Sequence, residues 1–443
     1  MSVEAGLVPQ PSELARVELE LRSFHVHTAD WGDHLALIDG HLRVPRAALV
    51  TLVLQDPRLV SVDPVWVRAG EHTRVIHVLD AVEPCVKPEP TTAFPGFLGP
   101  PDVAGTGRTD RLTGIAVLTA ADIPDQADSQ GPKEAILDMW GPGGTYHPFS
   151  GLTNLVLQFA CHERVSIAEA VAAGRLAAIR VASYLAGAAH TANPDHVERL
   201  ALAPRAPDLP GVVYVCLAMR EGEVHGTYLY GKLVESLPAL LHPNEVLDGA
   251  VVSGDYWIAC HRVPTYYYQN DPVIRALYAR DGREIAFLGV LVCRCLIPAQ
   301  AEKHRQAAQT AKVARMLGAA GAVVTMSNGG HAYADQMLIC QHLERAGIRT
   351  AISVDEYADR DGSDFPLVTV VPEAVAIVSN GNQEQVVDLP AAERVIGGRD
   401  FRAGNTYEAA FSRRPDEPLS VALRQVYCAT SQSGFGRLRC VAY

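Results

Sequence analysis

Apolar and polar residues alternate along Val17-Glu18-Leu19-Glu20-Leu21-Arg22, and apolar runs follow at 48–54 and 74–79, so residues 17–82 are predicted to be rich in β-strands. Residues 83–107 are dense in Pro and Gly, which predicts an ordered loop or crossing. Buried strands are predicted at 115–118 and 155–159, on either side of a Gly141-Pro142-Gly143-Gly144 turn. Ser166 followed by Glu169 has the form of a capping box, opening an Ala-rich helix to about residue 189. Strand character restarts at 212–216, and residues 237–251 lead into the segment around Cys260.

Beyond residue 278 the pattern becomes strand 285–292, helix 299–317, strand 322–326, helix 332–346 and strand 350–354. Such alternation implies parallel βαβ units, with ligand or partner surfaces at the carboxyl ends of the strands. Asn328-Gly329-Gly330-His331 and Asp355-Glu356-Tyr357 fall at such ends. A β-rich tail is predicted for 420–443. The predicted fold class is α/β, an amino-terminal mixed β-rich part plus a carboxy-terminal parallel α/β part, with Cys260 near their junction.

The chain has 443 residues, 48% of them hydrophobic, enough for two or three domains and a substantial core. A net charge of −12 argues against nucleic acid or an anionic membrane as main partner. The nine cysteines are scattered, the start Met1-Ser2-Val3-Glu4-Ala5-Gly6 lacks the basic and apolar regions of a signal peptide, and no apolar run approaches the length of a membrane span. The expected compartment is the cytoplasm, with thiols mostly reduced.

The densest chemistry lies in Val251–Ile274, an apolar run that breaks at Cys260 into a histidine, three tyrosines, an amide pair and a proline. An apolar strand ending at a nucleophile, with polar residues in the following turn, is one way a scaffold presents a reactive group. A cysteine after apolar residues is also commonly a small buried hydrophobe, and composition alone favours that. Ala259 precedes the thiol, so the sulfur is within reach of the preceding carbonyl.

Ala259-Cys260, Thr265-Tyr266 and Gln269-Asn270-Asp271-Pro272-Val273-Ile274 resemble the processing site of the glycine/sarcosine/betaine reductase component B proprotein, and more distantly that of the D-proline reductase proprotein. Further blocks in the family's order are Gly105-Thr106-Gly107-Arg108-Thr109, Gly141-Pro142-Gly143, Tyr146-His147-Pro148-Phe149-Ser150, Glu245-Val246-Leu247-Asp248-Gly249, Asp355-Glu356-Tyr357 and Asp361-Gly362.

The resemblance implies cleavage before Cys260 into pieces 1–259 and 260–443 that stay associated, with a pyruvoyl group left from the cysteine. It implies a substrate-binding subunit of a multi-component reductase that cleaves the bond from α-carbon to nitrogen in glycine, sarcosine, betaine or a related amine. A partner subunit would supply the attacking selenol or thiol, and an oligomer is expected. On this reading Cys260 is the cofactor precursor, His261 transfers protons, and Thr265, Tyr266, Gln269 and Asn270 hold oxyanion or carboxylate oxygens; satisfying backbone groups in a turn is the blander role for each. The chain departs from the family at His261-Arg262, Tyr267-Tyr268 and Asp271. Two alternatives stay open: an uncleaved scaffold subunit, and a homologue whose tyrosines line a pocket for a bulkier amine.

Three other groupings carry candidate chemistry. Cys293-Arg294-Cys295, with Cys340 or His331, has metal or redox potential, but only one such pair occurs. His25 and His27 share a strand face near Asp30, Asp33 and His34. Asp355 and Glu356 fit either an acid or base in the cleft or a cap on the next element. No metal is assigned.

Overall fold

The computed structural model describes residues 17–121, 135–398 apart from positions 223, 360, 362 and 365, and then 401–403 and 411–435. Its amino-terminal part is built around two larger mixed sheets. One runs in the order His196–Leu200, Leu19–His25, Gly107–Thr113, Cys85–Pro88, Thr91–Thr92, and the other in the order Leu59–Val67, Thr153–Cys161, Ile115–Ala120, Val78–Val82. The expected strands at 115–118 and 155–159 are present as direct parallel neighbours.

The helix Ile167–Ala186 opens at Ser166 with a complete capping box, in which the serine hydroxyl accepts from the Glu169 N–H and Glu169 accepts from the Ser166 N–H. Its Val171, Ala178, Val181 and Leu185 bury against Ile115, Val117, Leu155 and Leu157.

Three expectations change. The apolar run at 48–54 is the helix Arg46–Val53, whose buried Leu49 and Val53 are four residues apart on one face. The run at 74–79 is two strands, Thr73–Ile76 and Val78–Val82, broken at His77, which has φ +56°. The predicted turn at 141–144 is a short helix, Gly141–Gly144.

The carboxy-terminal part follows the predicted alternation. Ala286–Arg294, Ala319–Met326, Arg349–Glu356 and Ala376–Asn382 lie in a six-stranded sheet that is parallel apart from its edge strand Ala239–Leu241. Helices Gln300–Met316 and Ala332–Arg345 cover it. The sheet also takes Gly211–Ala218, inserted between Ala286–Arg294 and Ala319–Met326 and parallel to both. A strand from before residue 259 thus forms the middle of the sheet built mainly from residues after it.

Asp248 ties two of the family-like blocks together. Its carboxylate accepts from the Gly105 N–H at 2.7 Å and the Thr109 hydroxyl at 2.6 Å, and pairs with the buried Lys87 ammonium at 2.6 Å. Gly105 has φ +72°, and a Cβ there would meet the Glu245 nitrogen at 2.9 Å, so the approach requires glycine.

The tail is less β-rich than expected. Within the described part of 420–443, strand Leu419–Ala422 gives way to a short 3₁₀ turn, Leu423–Gln425, and then to turns through 435 that are buried as far as Ser433. Residues 436–443, including Cys440, lie outside the described residues.

Candidate active site

Ala259, Cys260 and His261 form one 3₁₀ turn, and all three are fully buried. The expected strand into the thiol stops early, at Val251–Val252; residues 253–258 are irregular and held by polar groups. Asp255 accepts from the Ser327 hydroxyl at 2.5 Å. The buried Arg262 guanidinium donates to the carbonyls of Val78, Tyr256 and Trp257 at 2.5–3.2 Å. A buried cation with several carbonyl partners fixes the chain on either side of the thiol.

His261 Nε2 lies 2.5 Å from Asp355 Oδ2, at the carboxyl end of Arg349–Glu356. Asp355 also accepts from the Tyr333 hydroxyl, from Gln432 Nε2 at 3.1 Å and from the Thr430 hydroxyl at 3.4 Å. The Cys260 sulfur lies within 4.8 Å of ligating atoms on both His261 and Asp355, and 4.0 Å from Gln383 Oε1. Burial alone lowers the imidazole pKa. The Asp355 charge, the Cys260 sulfur and their hydrogen bonds together override it, and the His261 pKa is raised well above its usual value. Thiol, imidazole and carboxylate in this order can share a proton so that a thiolate attacks and an imidazolium reprotonates the leaving group.

The same three groups are the one cluster among the described residues with metal-ligand proximity. A 2.5 Å separation is that of a direct hydrogen bond, whereas two ligand atoms on a tetrahedral ion at about 2.0 Å sit roughly 3.3 Å apart. In this conformation His261 and Asp355 are directly hydrogen-bonded, with the Cys260 sulfur beside them.

The peptide before Cys260 is held at its oxygen. Ala259 O accepts the Cys428 N–H at 2.9 Å and the Arg262 N–H at 3.4 Å, and Cys260 O accepts the Thr430 N–H at 3.1 Å. Cys428 has φ +61°, a left-handed conformation that costs a non-glycine residue on the order of 1–3 kcal/mol.

Cys260 and His261 meet Asp355, while the other expected site residues are occupied elsewhere. The Thr265 hydroxyl donates to Asp80 at 2.7 Å and accepts the Ser253 N–H at 2.9 Å. Gln269 makes a two-way bridge to the Glu83 backbone, at 2.9 and 3.0 Å. Asn270 Nδ2 donates to Tyr266 O, and its Oδ1 accepts from Arg111. Tyr266 meets Phe149 edge-on, and Tyr267 stacks on Phe435 with centroids 4.1 Å apart. Tyr267 and Tyr268 are core residues, and Tyr267 stacks between Phe149 and Phe435, where the bulkier-amine alternative had these rings lining a pocket.

Sequence reasoning missed Tyr333, Gln383, Cys428, Thr430 and Gln432. The available signal was Thr430-Ser431-Gln432-Ser433, a polar run that the fold buries completely or nearly so.

The Cys293 and Cys295 thiols are both buried; burial pushes Cys293 up to about 12 and raises Cys295 strongly. Cys293 sits beside the Thr310 hydroxyl, and Cys295 donates to Ser327 O. His25 and His27 face each other edge-on at 4.6 Å beside an open, polar cavity of about 440 Å³.

The family model for glycine/sarcosine/betaine reductase component B subunits matches residues 17–441. The chain belongs to this family. It is 33% identical over 437 residues to "Glycine reductase complex component B subunits alpha and beta" of Acetoanaerobium sticklandii, covering 96% of this chain and 100% of that one. It is 30% identical over 432 residues to the sarcosine reductase complex component B subunit alpha of Peptoclostridium acidaminophilum, covering 95% and 99%. The betaine reductase complex component B subunit alpha of the same organism is 32% identical over 397 residues, covering 86% and 88%. No solved structure matches the chain. No helix among the described residues is long and apolar enough to cross a membrane.

Proposed function

We propose that this chain is the precursor of a pyruvoyl-bearing, substrate-binding subunit of a reductase complex, cut between Ala259 and Cys260. The observation that carries the reading is the buried Cys260, His261 and Asp355 triad beside a peptide whose oxygen already accepts two N–H groups. The pyruvoyl group supplies an electrophilic ketone to which an amine substrate adds. Its precursor Cys260 fits the chemistry, because the thiol adjoins a carbonyl held for attack and a histidine held for proton transfer. The substrate class is glycine or an N-substituted relative, a reading that the names of the relatives support, and the partner supplies the soft nucleophile that expels the amine. In the uncut chain residue 260 is closed to solvent, so substrate reaches it only after the peptide has parted and the turn has moved.

Intact-mass spectrometry of the purified chain under denaturing conditions tests this. Scaled by length from 47.6 kDa over 443 residues, pieces of 259 and 184 residues weigh about 28 and about 20 kDa. The smaller piece should react with hydroxylamine at its amino terminus, and Cys260→Ala should leave one uncut species. A wild-type chain that stays at 47.6 kDa refutes the proposal.

A further inference from the structure

Residues 427–433 are the least expected part of the site. They contain no regular element, yet all of them are at most 3% exposed, including Thr430, Ser431, Gln432 and Ser433. A buried irregular segment must place every N–H somewhere. Two of its alternate N–H groups straddle Cys260, that of Cys428 bonding Ala259 O at 2.9 Å and that of Thr430 bonding Cys260 O at 3.1 Å. Gln432 reaches Asp355 Oδ1 at 3.1 Å and Asn328 O at 3.0 Å, and the Tyr427 N–H anchors the segment to Ile136 O at 2.8 Å. The positive φ of Cys428 has no other evident use among these contacts than to aim its N–H at the Ala259 oxygen.

We infer that this loop completes the self-processing site, with the Cys428 N–H as the main oxyanion donor to the Ala259 carbonyl, so that the cut waits for the loop to dock. The inference rests on the proposed cut at Cys260 and adds what controls it. The second donor, the Arg262 N–H at 3.4 Å, belongs to the nucleophile's own turn and is present whether or not the loop has arrived. Before docking, the Ala259 oxygen has one long hydrogen bond. After docking, it has a short one from a preorganised amide in a dry site, where such donors act most strongly.

The chemistry balances without an oxidant. The Cys260 sulfur adds to the Ala259 carbonyl carbon, placing charge on the oxygen that Cys428 faces. The carbon–nitrogen bond then breaks as the amine takes a proton from His261, leaving a thioester. β-Elimination follows, the α-proton of residue 260 passing to the now neutral His261 as the carbon–sulfur bond breaks and the thiocarboxylate leaves; this gives dehydroalanine, which tautomerises to the imine. Water hydrolyses the imine to the pyruvoyl ketone and ammonia, and a second water converts the thiocarboxylate to the Ala259 carboxylate and hydrogen sulfide.

The test is cell-free synthesis of the full-length chain with timed intact-mass sampling. Cys428→Ala keeps the amide and serves as reference. The same chain with the α-hydroxy acid counterpart of alanine at 428 replaces only that N–H with an ester oxygen, and its cut should be roughly 100- to 1,000-fold slower than the reference. Cys428→Gly, which keeps the N–H and eases the backbone, should be cut at least as fast as wild type. Protection from limited proteolysis reports whether the ester chain has folded. If it has not, Ser353→Ala decides, because it removes the 2.8 Å bond from the Ser353 hydroxyl to Gln432 O, loosening the loop without touching Cys260, His261 or the Asp355 carboxylate, and should slow the cut several-fold. An ester chain, or failing that a Ser353→Ala chain, cut within threefold of its reference overturns the inference and leaves the proposed function standing. A wild-type chain that is never cut removes both.

Discussion

Removing the charge of Asp355 tests the buried pair directly. Asp355→Asn, made in a Cys260→Ala background so that no cleavage intervenes, leaves an imidazole in a dry site without its counter-charge and loosens the bonds from Tyr333, Thr430 and Gln432. Breaking one side of a buried pair costs about 3–5 kcal/mol. With about 2.1 cal/mol/K of unfolding entropy per residue over 443 residues, that lowers the thermal midpoint by roughly 3–5 °C if the chain unfolds as one unit.

The pH dependence has a definite sign. Cys260→Ala removes the sulfur's share of the shift from both chains, so what distinguishes them is the Asp355 charge and its hydrogen bond, which raise the His261 pKa; their contribution is fully present below the unfolded value of about 6.5 and is lost as pH rises through the folded value. In Asp355→Asn burial acts without that counter-charge and pulls the imidazole down. The stability gap between the two chains should therefore be widest at pH 6 and narrow toward pH 9, with a slope no steeper than about 1.4 kcal/mol per pH unit. Differential scanning calorimetry across that range is the assay. A midpoint shift under 1 °C at pH 6, or a gap that widens with pH, would refute the reasoning.

Two further outcomes are expected. The cut pieces should elute together in native size-exclusion chromatography, because Val213, Tyr214, Val215 and Leu217 of the larger piece are buried in the sheet of the smaller one and contribute on the order of 6–12 kcal/mol of apolar burial; separate peaks count against the sheet order described. The processed chain alone, given a chemical reductant, should release no ammonia or methylamine from glycine or sarcosine, since burial raises the pKa of Cys85, Cys161, Cys216, Cys293, Cys295, Cys340 and Cys428 and keeps these thiols unreactive; amine release without a partner would make the chain self-sufficient.

The parallel sheet was legible because its strands and helices carry separate periodicities and are long. The run 48–54 was not, since an unbroken apolar stretch has no period and only the buried Leu49 and Val53 show the helical face. At the site, Cys260 and His261 were legible as neighbours, and Asp355 as a residue at the end of a parallel strand. Its partners Tyr333, Thr430 and Gln432, and the Cys428 amide, arrive through packing between segments far apart in the chain, for which local pattern carries no information. Thr265 and Gln269 sit where polar side chains were expected to serve the site, but nearby carboxylate and backbone groups were the stronger claimants.

Gly211–Ala218 also bears on how the molecule is made. During synthesis this strand emerges before either of its neighbours, Ala286–Arg294 and Ala319–Met326, has been translated. At about 5–20 residues per second, the 108 residues from 218 to 326 take roughly 5–20 s, during which an apolar strand has two open edges. A nascent chain in that state is prone to pairing with another copy. Carrying residues 1–259 and 260–443 in one reading frame keeps the missing neighbours tethered at high local concentration and on their way, so covalent continuity across 259–260 serves assembly, and under the proposed cut it is given up only afterwards.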